Sequence, residues 1–323
     1  MATLDTTSQL TLIELANRLD PRGNTAVVAE VLTRTNAILK DAPWVEANDV
    51  FSHKYTRRLT LPTGSWRQIN AGVAKETSRT VPVTEVMGFL ESYSEVDKKL
   101  VENAPNQAQF RMTEAKAFIE GMSQTLAAAL VYANAATDPE KITGLAPRLD
   151  GLSQDNVLGA GGTGATLTSI YIVQWGEDKV HLFYPKGSRT MGVVHKDLGE
   201  VTLQDALGNN YQGFRDHFEV NVGLAVRDER CIARYGNITT ASTAADFDED
   251  HLIELMNRMP QDGEGAAIYC NRYVKTRMEI KLKDKSNVNF TTREGLGGVP
   301  VLLFRGCPVR KVDAILNTET QVS

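Results

Sequence analysis

The stretch NQAQFRMTEAKAFIEGMSQTLAAALVYANAA, residues 106–136, carries apolar side chains with the period of an α-helix and charged side chains between them. Pro105 precedes it and TDPEK follows it, so residues that interrupt helices stand at both ends. A helix of 31 residues is about 45 Å long, which exceeds the usual length in globular domains. We therefore predict a spine helix. Its apolar residues are Phe110, Ala115, Phe118, Ile119, Met122, Leu126 and Leu130, and its charged residues are Arg111, Glu114, Lys116 and Glu120.

The region before this helix contains two β-rich pieces, VFSHKYTRRLTLP at 50–62 and RTVPVTEVMGFLESYSEV at 79–96, with a polar, glycine-containing segment between them. This pattern predicts a long hairpin. It holds too few regularly spaced apolar residues to face a core of its own, and a two-stranded ribbon is marginal in isolation. The hairpin is therefore expected to pack against another surface. That surface could belong to its own domain or to another molecule.

The region after the helix mixes strands and helices, which predicts an α+β fold. Thr168–Gln174 and Val180–Tyr184, joined by WGED, are predicted to pair as a hairpin, and Asp246–Met259 is predicted as a short helix. Two short amphipathic helices are predicted between Ser8 and Asp41. The remaining predictions are strands at Phe218–Val226, Cys231–Tyr235 and AAIYC, a helix at RYVKTRMEIKLKD, and a pair of closing strands in GVPVLLFRGCPVRKVDAIL.

Length and composition indicate a globular protein with two or three domains, since the chain has 323 residues of which 42% are hydrophobic. The net charge of −5 provides no overall positive field, which argues against dedicated DNA or RNA binding. No signal peptide and no apolar stretch of membrane-spanning length is evident, so a cytosolic location is expected. The three separated cysteines indicate buried free thiols: Cys231, Cys270 and Cys307.

The segment LGAGGTGAT, residues 158–166, has the G-x-G-x-x-G spacing of a dinucleotide-binding loop through Gly159, Gly161 and Gly164. Such a loop follows a strand and opens a helix, whereas these glycines follow a polar loop and lead into the strand-like TLTSIYIVQW. Ala165 stands where a P-loop needs its lysine. We therefore predict a flexible loop and no cofactor.

No other catalytic, cofactor-binding or metal-ligating constellation emerges from the sequence. The acidic run DFDED, residues 246–250, lacks the glycine and the final glutamate of a calcium loop and is predicted to cap a helix. Asp228 and Glu229 precede Arg230 and are predicted to form surface ion pairs. The histidines show no zinc-site spacing: His53, His181, His195, His217 and His251.

Four stretches, taken in order after the hairpin and the spine helix, resemble the major capsid proteins of tailed bacteriophages with the HK97-like fold. Within that group the sequence is similar to the podovirus-type family that includes the epsilon15 capsid protein. The similarity covers most of the chain. The stretches are TDPEKITGLAPRLDGLS, TSIYIVQWGEDKVHLFYPKG, HFEVNVGLAVRDERCIARYGNI and FRGCPVRKVDAIL.

This resemblance implies a segment plan, although one variant of the fold connects its elements in a permuted order. The implied segments are an N-terminal arm at 1–50, an E-loop hairpin at 51–97, a peripheral domain with the spine helix at 98–145, an axial domain at 146–300, and a return to the peripheral-domain sheet at 301–323.

The resemblance also implies a structural function without catalysis. The chain is expected to self-assemble as hexamers and pentamers into an icosahedral shell around double-stranded DNA, with the virion as its location and the host cytoplasm as the site of assembly. Scaffolding, portal and cementing proteins are expected partners, DNA is expected to lie close by without specific binding, and no membrane is expected. Two alternatives are kept, an encapsulin-like compartment shell and a nucleotide-dependent oxidoreductase.

Three cations on the outgoing hairpin strand suggest how subunits could meet. We hypothesise that Lys54, Arg57 and Arg58 dock on an acidic patch of the adjacent subunit. Some members of this family also join a lysine to an asparagine between subunits, but no pair can be nominated from this sequence.

Overall fold

A computed structural model of the protein describes residues 36–188, 192–240, 246–283, 289–294 and 300–323. Most of the two predicted N-terminal helices lies outside these residues. Within them, no helix is long and apolar enough to cross a membrane. The helices are α1 Ile38–Asp41, α2 Lys98–Asn103, α3 Gln107–Tyr132, α4 Glu249–Arg258 and α5 Arg272–Leu282. The strands are β1 Trp44–Glu46, β2 Ser52–Thr60, β3 Arg79–Val86, β4 Gly88–Asp97, β5 Val157–Gly159, β6 Leu167–Val173, β7 Val180–Tyr184, β8 Val194–Gln204, β9 Asn210–Val226, β10 Ile232–Thr239, β11 Ala267–Cys270, β12 Phe290–Glu294, β13 Pro300–Phe304 and β14 Cys307–Lys311.

The predicted spine helix is confirmed as α3, which has 26 residues and is therefore about 39 Å long. It ends earlier than predicted because Asn134 begins a turn, in which its side-chain oxygen accepts a hydrogen bond from the Ala136 N–H at 3.0 Å. Most of the predicted apolar face is buried. The exceptions are Ala115 and Phe118, which are half-buried, and Ile119, which is 37% exposed. Glu114, which was predicted to face solvent, is buried.

The described residues form two compact units, one built from 89–127 and 192–221 and the other from 36–88, 128–188 and the residues after 221. In the first unit, β4 and β8 both pair with β9. The α3 side chain of Phe118 stacks on Phe218 of β9 with ring centroids 5.6 Å apart. This contact explains why the helix presents its apolar side to the sheet.

A charged contact accompanies the aromatic one in the first unit. The Arg111 guanidinium of α3 lies 2.8 Å from the Asp197 carboxylate and 2.9 Å from the Asp216 carboxylate. These hydrogen bonds stabilise the cation and raise the pKa of Arg111, with Asp197 as the largest cause. Helix and sheet are therefore joined by both apolar and ionic contacts.

The second unit contains a seven-stranded sheet with the strand order β12-β13-β14-β11-β6-β10-β5. Helices α4 and α5 contribute buried residues to the core that includes Ile170 and Ile268 of this sheet. The predictions of α4, α5, β11 and the closing strands β13 and β14 are confirmed. Strand β9 begins at Asn210, well before its predicted start at Phe218.

The predicted hairpin between Thr168–Gln174 and Val180–Tyr184 is wrong. Strand β6 lies between β10 and β11, whereas β7 lies between β1 and β9 in a different sheet. All of β6 and all but the last residue of β7 are buried. Strands buried on both faces need neighbours on both edges, and their continuous apolar runs cannot reveal which strands those neighbours are.

The glycine-rich segment is a loop between two strands. The expectation that a polar loop precedes it is wrong, since β5 pairs in parallel with β10. Strand β6 follows, so the glycine-rich segment does not open a helix. A side chain at Gly162 would place its Cβ 2.3 Å from the Asn237 carbonyl oxygen, so glycine is needed there for a close backbone approach.

The chain's last residues attach to the second unit through a buried carboxylate. Glu319, which is 6% exposed, lies 2.8 Å from the Arg234 guanidinium. It also accepts hydrogen bonds from Tyr132, at 2.5 Å, and from Ser169 and Tyr171. Burial, reinforced by the Glu319 charge, raises the pKa of both tyrosines well above the usual range. One carboxylate thus joins the end of α3 to two strands of the sheet.

Candidate assembly interface

The predicted hairpin is confirmed as the antiparallel pair β2 and β3, in which Ser52 faces Val86 and Thr60 faces Arg79. We call residues 52–86 the hairpin arm, 52–57 with 81–86 its base, and 58–80 its distal part. In the base, His53, Tyr55 and Glu85 are buried. All residues of the distal part are exposed. The arm is therefore attached at one end only.

Tyr55 holds the base of the arm to the end of β9. Its hydroxyl donates a 2.6 Å hydrogen bond to the Val226 carbonyl and lies 3.2 Å from the Glu85 carboxylate. Burial raises the pKa of Tyr55 to about 12, and the nearby Glu85 charge acts in the same direction. The phenol therefore remains a donor at physiological pH.

Two ion pairs complete the attachment of the base. Both nitrogens at the end of the Arg148 guanidinium donate to the two oxygens of Glu85 at 2.8 Å. Arg57 lies 2.6 Å from the Glu229 carboxylate and also donates to the Val226 carbonyl at 3.0 Å. A guanidinium that donates two hydrogen bonds to one carboxylate fixes the relative orientation of the two side chains and also strengthens their interaction. Sequence reasoning missed Glu85 and Arg148 because 63 residues separate them.

The structure changes the hypothesis about the three cations of β2. The Lys54 ammonium lies 2.7 Å from Asp49, and Arg57 is bound to Glu229. The hydrogen bond from Lys54 lowers the pKa of Asp49 to about 2. Arg58 is exposed and has no ion pair with a described acid. Of the three, only Arg58 is therefore free to meet a neighbouring subunit.

The distal part presents apolar side chains to solvent without a core beneath them. Trp66 is fully exposed and Ile69 is 93% exposed, and Leu59 and Leu61 are also exposed. The connecting segment has some internal order, because Glu76 accepts hydrogen bonds from the Thr63 and Gly64 N–H groups at 2.7 and 3.0 Å. Several large exposed apolar side chains on one segment are typical of an interaction site.

The distal part is also cationic. It contains four basic residues, Arg58, Arg67, Lys75 and Arg79, and one acid, Glu76, which gives a net charge of +3 in a chain of net charge −5. An acidic protein with a cationic arm is electrostatically suited to bind another copy of itself. The distal part therefore combines apolar side chains with charge complementarity.

Comparison with known proteins identifies the family. The family model described as major capsid protein GP7 matches residues 20–323. The chain belongs to the GP7 major capsid protein family. No curated protein shows significant similarity to this capsid protein.

A solved structure of bacteriophage Epsilon15 is similar to this capsid protein over its whole length. The two chains are 35% identical, the match covers 100% of this chain and 99% of the other, and the TM-score is 0.74. The capsid protein has the α+β HK97-like fold and forms a phage capsid shell from multiple copies of itself. The family assignment favours this function over the encapsulin-like and oxidoreductase alternatives.

Two more distant structures are also similar. The bacteriophage JBD30 capsid is 13% identical with a TM-score of 0.48, and the match covers 88% of this chain and 93% of that one. The SrpI encapsulin of Synechococcus elongatus is 12% identical with a TM-score of 0.46, and the match covers 72% and 98%.

The residues considered for chemistry in the capsid protein have structural surroundings. Cys231, Cys270 and Cys307 are free and buried as predicted. Burial raises their pKa values, to about 11 for Cys231 and about 12 for Cys270. The acidic run caps α4, since the Asp248 side chain accepts from the Asp250 N–H. No three His, Cys, Asp or Glu side chains come together as a metal site in the described parts of the chain.

Proposed function

We propose that the capsid protein assembles as hexamers and pentamers into an icosahedral shell that encloses double-stranded DNA. The observation that carries this proposal is the hairpin arm, which is firmly attached at its base and exposes Trp66 and Ile69 at its distal part. An arm that binds a different surface of the next copy would make a heterologous contact, and such contacts form closed rings when the rotation between copies closes.

We extend the proposal to the parts of the chain. Residues 1–50 would form the N-terminal arm, 51–97 the E-loop, 98–145 the peripheral domain with the spine helix, and 146–300 mainly the axial domain. The expected return of 301–323 to the peripheral-domain sheet is not carried into the proposal, because β13 and β14 belong to the same sheet as β6, β10 and β11. The hairpin arm supports the E-loop assignment and α3 supports the spine-helix assignment.

The proposal includes partners and a location for assembly. The acidic net charge of −5 suits a lining that surrounds DNA without binding its phosphates tightly. Scaffolding, portal and cementing proteins are proposed partners, assembly is placed in the host cytoplasm, and no catalytic activity is assigned.

Electron microscopy of the purified protein tests the central proposal. We expect closed shells with pentamers at the five-fold vertices and hexamers between them, and nuclease-resistant double-stranded DNA inside shells isolated from infected cells. Small discrete oligomers under all conditions, or shells without pentameric vertices, would contradict it.

Neutralising the free cations of the arm should weaken assembly. For the double variant Arg58→Gln/Arg79→Gln we expect a yield of shells lower by roughly tenfold at low salt, with a smaller difference at high salt, because these charges act in water across an interface. The control is Lys54→Gln, since Asp49 already neutralises that lysine. Sedimentation of assembled shells measures the effect, and equal yields for the double variant and the wild type would remove these two cations from the contact.

A further inference from the structure

Two histidines face each other beneath the base of the hairpin arm. His53 of β2 is 6% exposed and His181 of β7 is 1% exposed. Their rings meet edge to face with centroids 5.3 Å apart. None of the four ring nitrogens has a hydrogen-bond partner among the described residues. Buried polar groups are almost always paired, so this pair is unusual.

Apolar side chains pack around the pair. Phe183 lies 5.3 Å from the His53 ring, and Ala47, Met87 and Ala225 belong to the same apolar cluster as Phe183. The pair is therefore packed as two neutral rings in an apolar site, where a positive charge is strongly disfavoured.

Two charged side chains and one stretch of backbone act on the pair. Arg227, directly after β9, disfavours protonation of both rings, whereas Glu85 of β3 favours protonation of His53. Glu85 is already bound by Arg148 and lies beside the Tyr55 hydroxyl. The backbone at Gly176 and Glu177 favours protonation of His181, yet forms no hydrogen bond of normal geometry with its ring.

We propose that His53 and His181 form an acid-sensitive contact, in which two neutral imidazoles hold the arm base on β7 and β9 and protonation of either ring releases the arm. Because the arm is attached only at its base, release of the base would change the direction in which the whole distal part points.

The pKa values support this direction. Burial lowers the pKa of His181 to about 4, and the other histidine and Arg227 act in the same direction. Burial is also the largest cause that lowers the pKa of His53. Both rings are neutral in the attached and released states well above pH 6.5, so the contact is fully stable there. As the pH falls from about 6.5 towards 4, the released state binds a proton at His181 before the attached state does, so the attached state loses up to about tenfold of its advantage per pH unit. The lowered pKa of His53 acts in the same direction.

Hydrogen exchange on purified wild-type protein tests the proposal, and it needs no assembly step to be informative. Amide protection of residues 52–60 and 81–86, corrected for the intrinsic rate, should fall by about 10–100-fold between pH 7 and pH 5. Protection of the central strand β6, residues 167–173, should remain. Unchanged protection of the arm base at pH 5, or an equal loss in β6, would overturn the proposal.

Variants identify the groups responsible. His53→Phe/His181→Phe keeps two aromatic rings and removes both titrating groups, so the acid-induced loss at the arm base should disappear. His251→Gln is the matched control, because His251 contacts Tyr235 away from the arm and its replacement should leave the loss in place. If the double variant does not fold, the ring C–H resonances of His53 and His181 in the wild type decide, and ordinary titration of both near pH 6.5 would overturn the proposal.

Discussion

Replacing Arg234 by methionine is expected to lower the free energy of unfolding by about 3–5 kcal/mol, because it leaves the Glu319 carboxylate buried without its cation. The two side chains are only 6% and 3% exposed and lie 2.8 Å apart. The remaining partners of Glu319 are neutral hydroxyl groups. Since domains are typically stable by about 5–15 kcal/mol, such a loss is a large share of the total.

Thermal and denaturant unfolding of the purified variant measure the loss, and Arg230→Met is the matched control. Arg230 pairs with Asp228 at 2.8 Å, but its side chain is 76% exposed, so its replacement should cost less than about 1 kcal/mol. Arg234→Met/Glu319→Leu removes both charges and should recover part of the stability. Equal stability of Arg234→Met and Arg230→Met would show that the buried pair contributes no more than a surface pair.

Elements of the fold could be predicted where the local sequence has a regular apolar period. The multiples-of-four spacing from Phe110 to Leu130 predicted α3, and the break at Asn134 only shifted its end. The pairing of β6 and β7 could not be predicted, because both are continuous apolar runs with partners far away in the sequence. Val173 pairs with Ile232 of β10 and with Ala267 of β11, which no local signal indicates.

The candidate site divides in the same way. The hairpin and its cationic strand were predicted from sequence, but the attachment of the base depends on Tyr55 reaching the Val226 carbonyl, 171 residues away. The ion pairs of Lys54 with Asp49 and of Arg57 with Glu229 could not be predicted either, since the sequence contains many acids and does not indicate which of them lie near the arm. Trp66, in contrast, stands in a polar, glycine-containing segment, and that isolation was a readable signal of an exposed aromatic side chain.

Replacing Trp66 by alanine is expected to abolish closed shells while leaving the chain folded. Trp66 is fully exposed, so its loss removes nothing from the core, and the free energy of unfolding should change by less than about 0.5 kcal/mol. Tryptophans at the centre of an interface typically contribute about 2 kcal/mol or more to binding. Because every copy in a shell supplies one arm, a loss of this size at each contact raises the concentration needed for assembly by at least about 30-fold.

The comparison with Leu207→Ala separates an arm contact from general surface hydrophobicity. Leu207 is 76% exposed on the turn between β8 and β9, outside the arm, and its replacement removes an apolar side chain without touching the proposed contact. We expect shells from Leu207→Ala at the wild-type concentration and none from Trp66→Ala, with sedimentation measuring assembly and thermal unfolding confirming that both chains are folded. Wild-type assembly by a folded Trp66→Ala chain would show that the distal part of the arm is not the functional surface, since an aliphatic side chain such as Ile69 cannot replace the area that an indole buries.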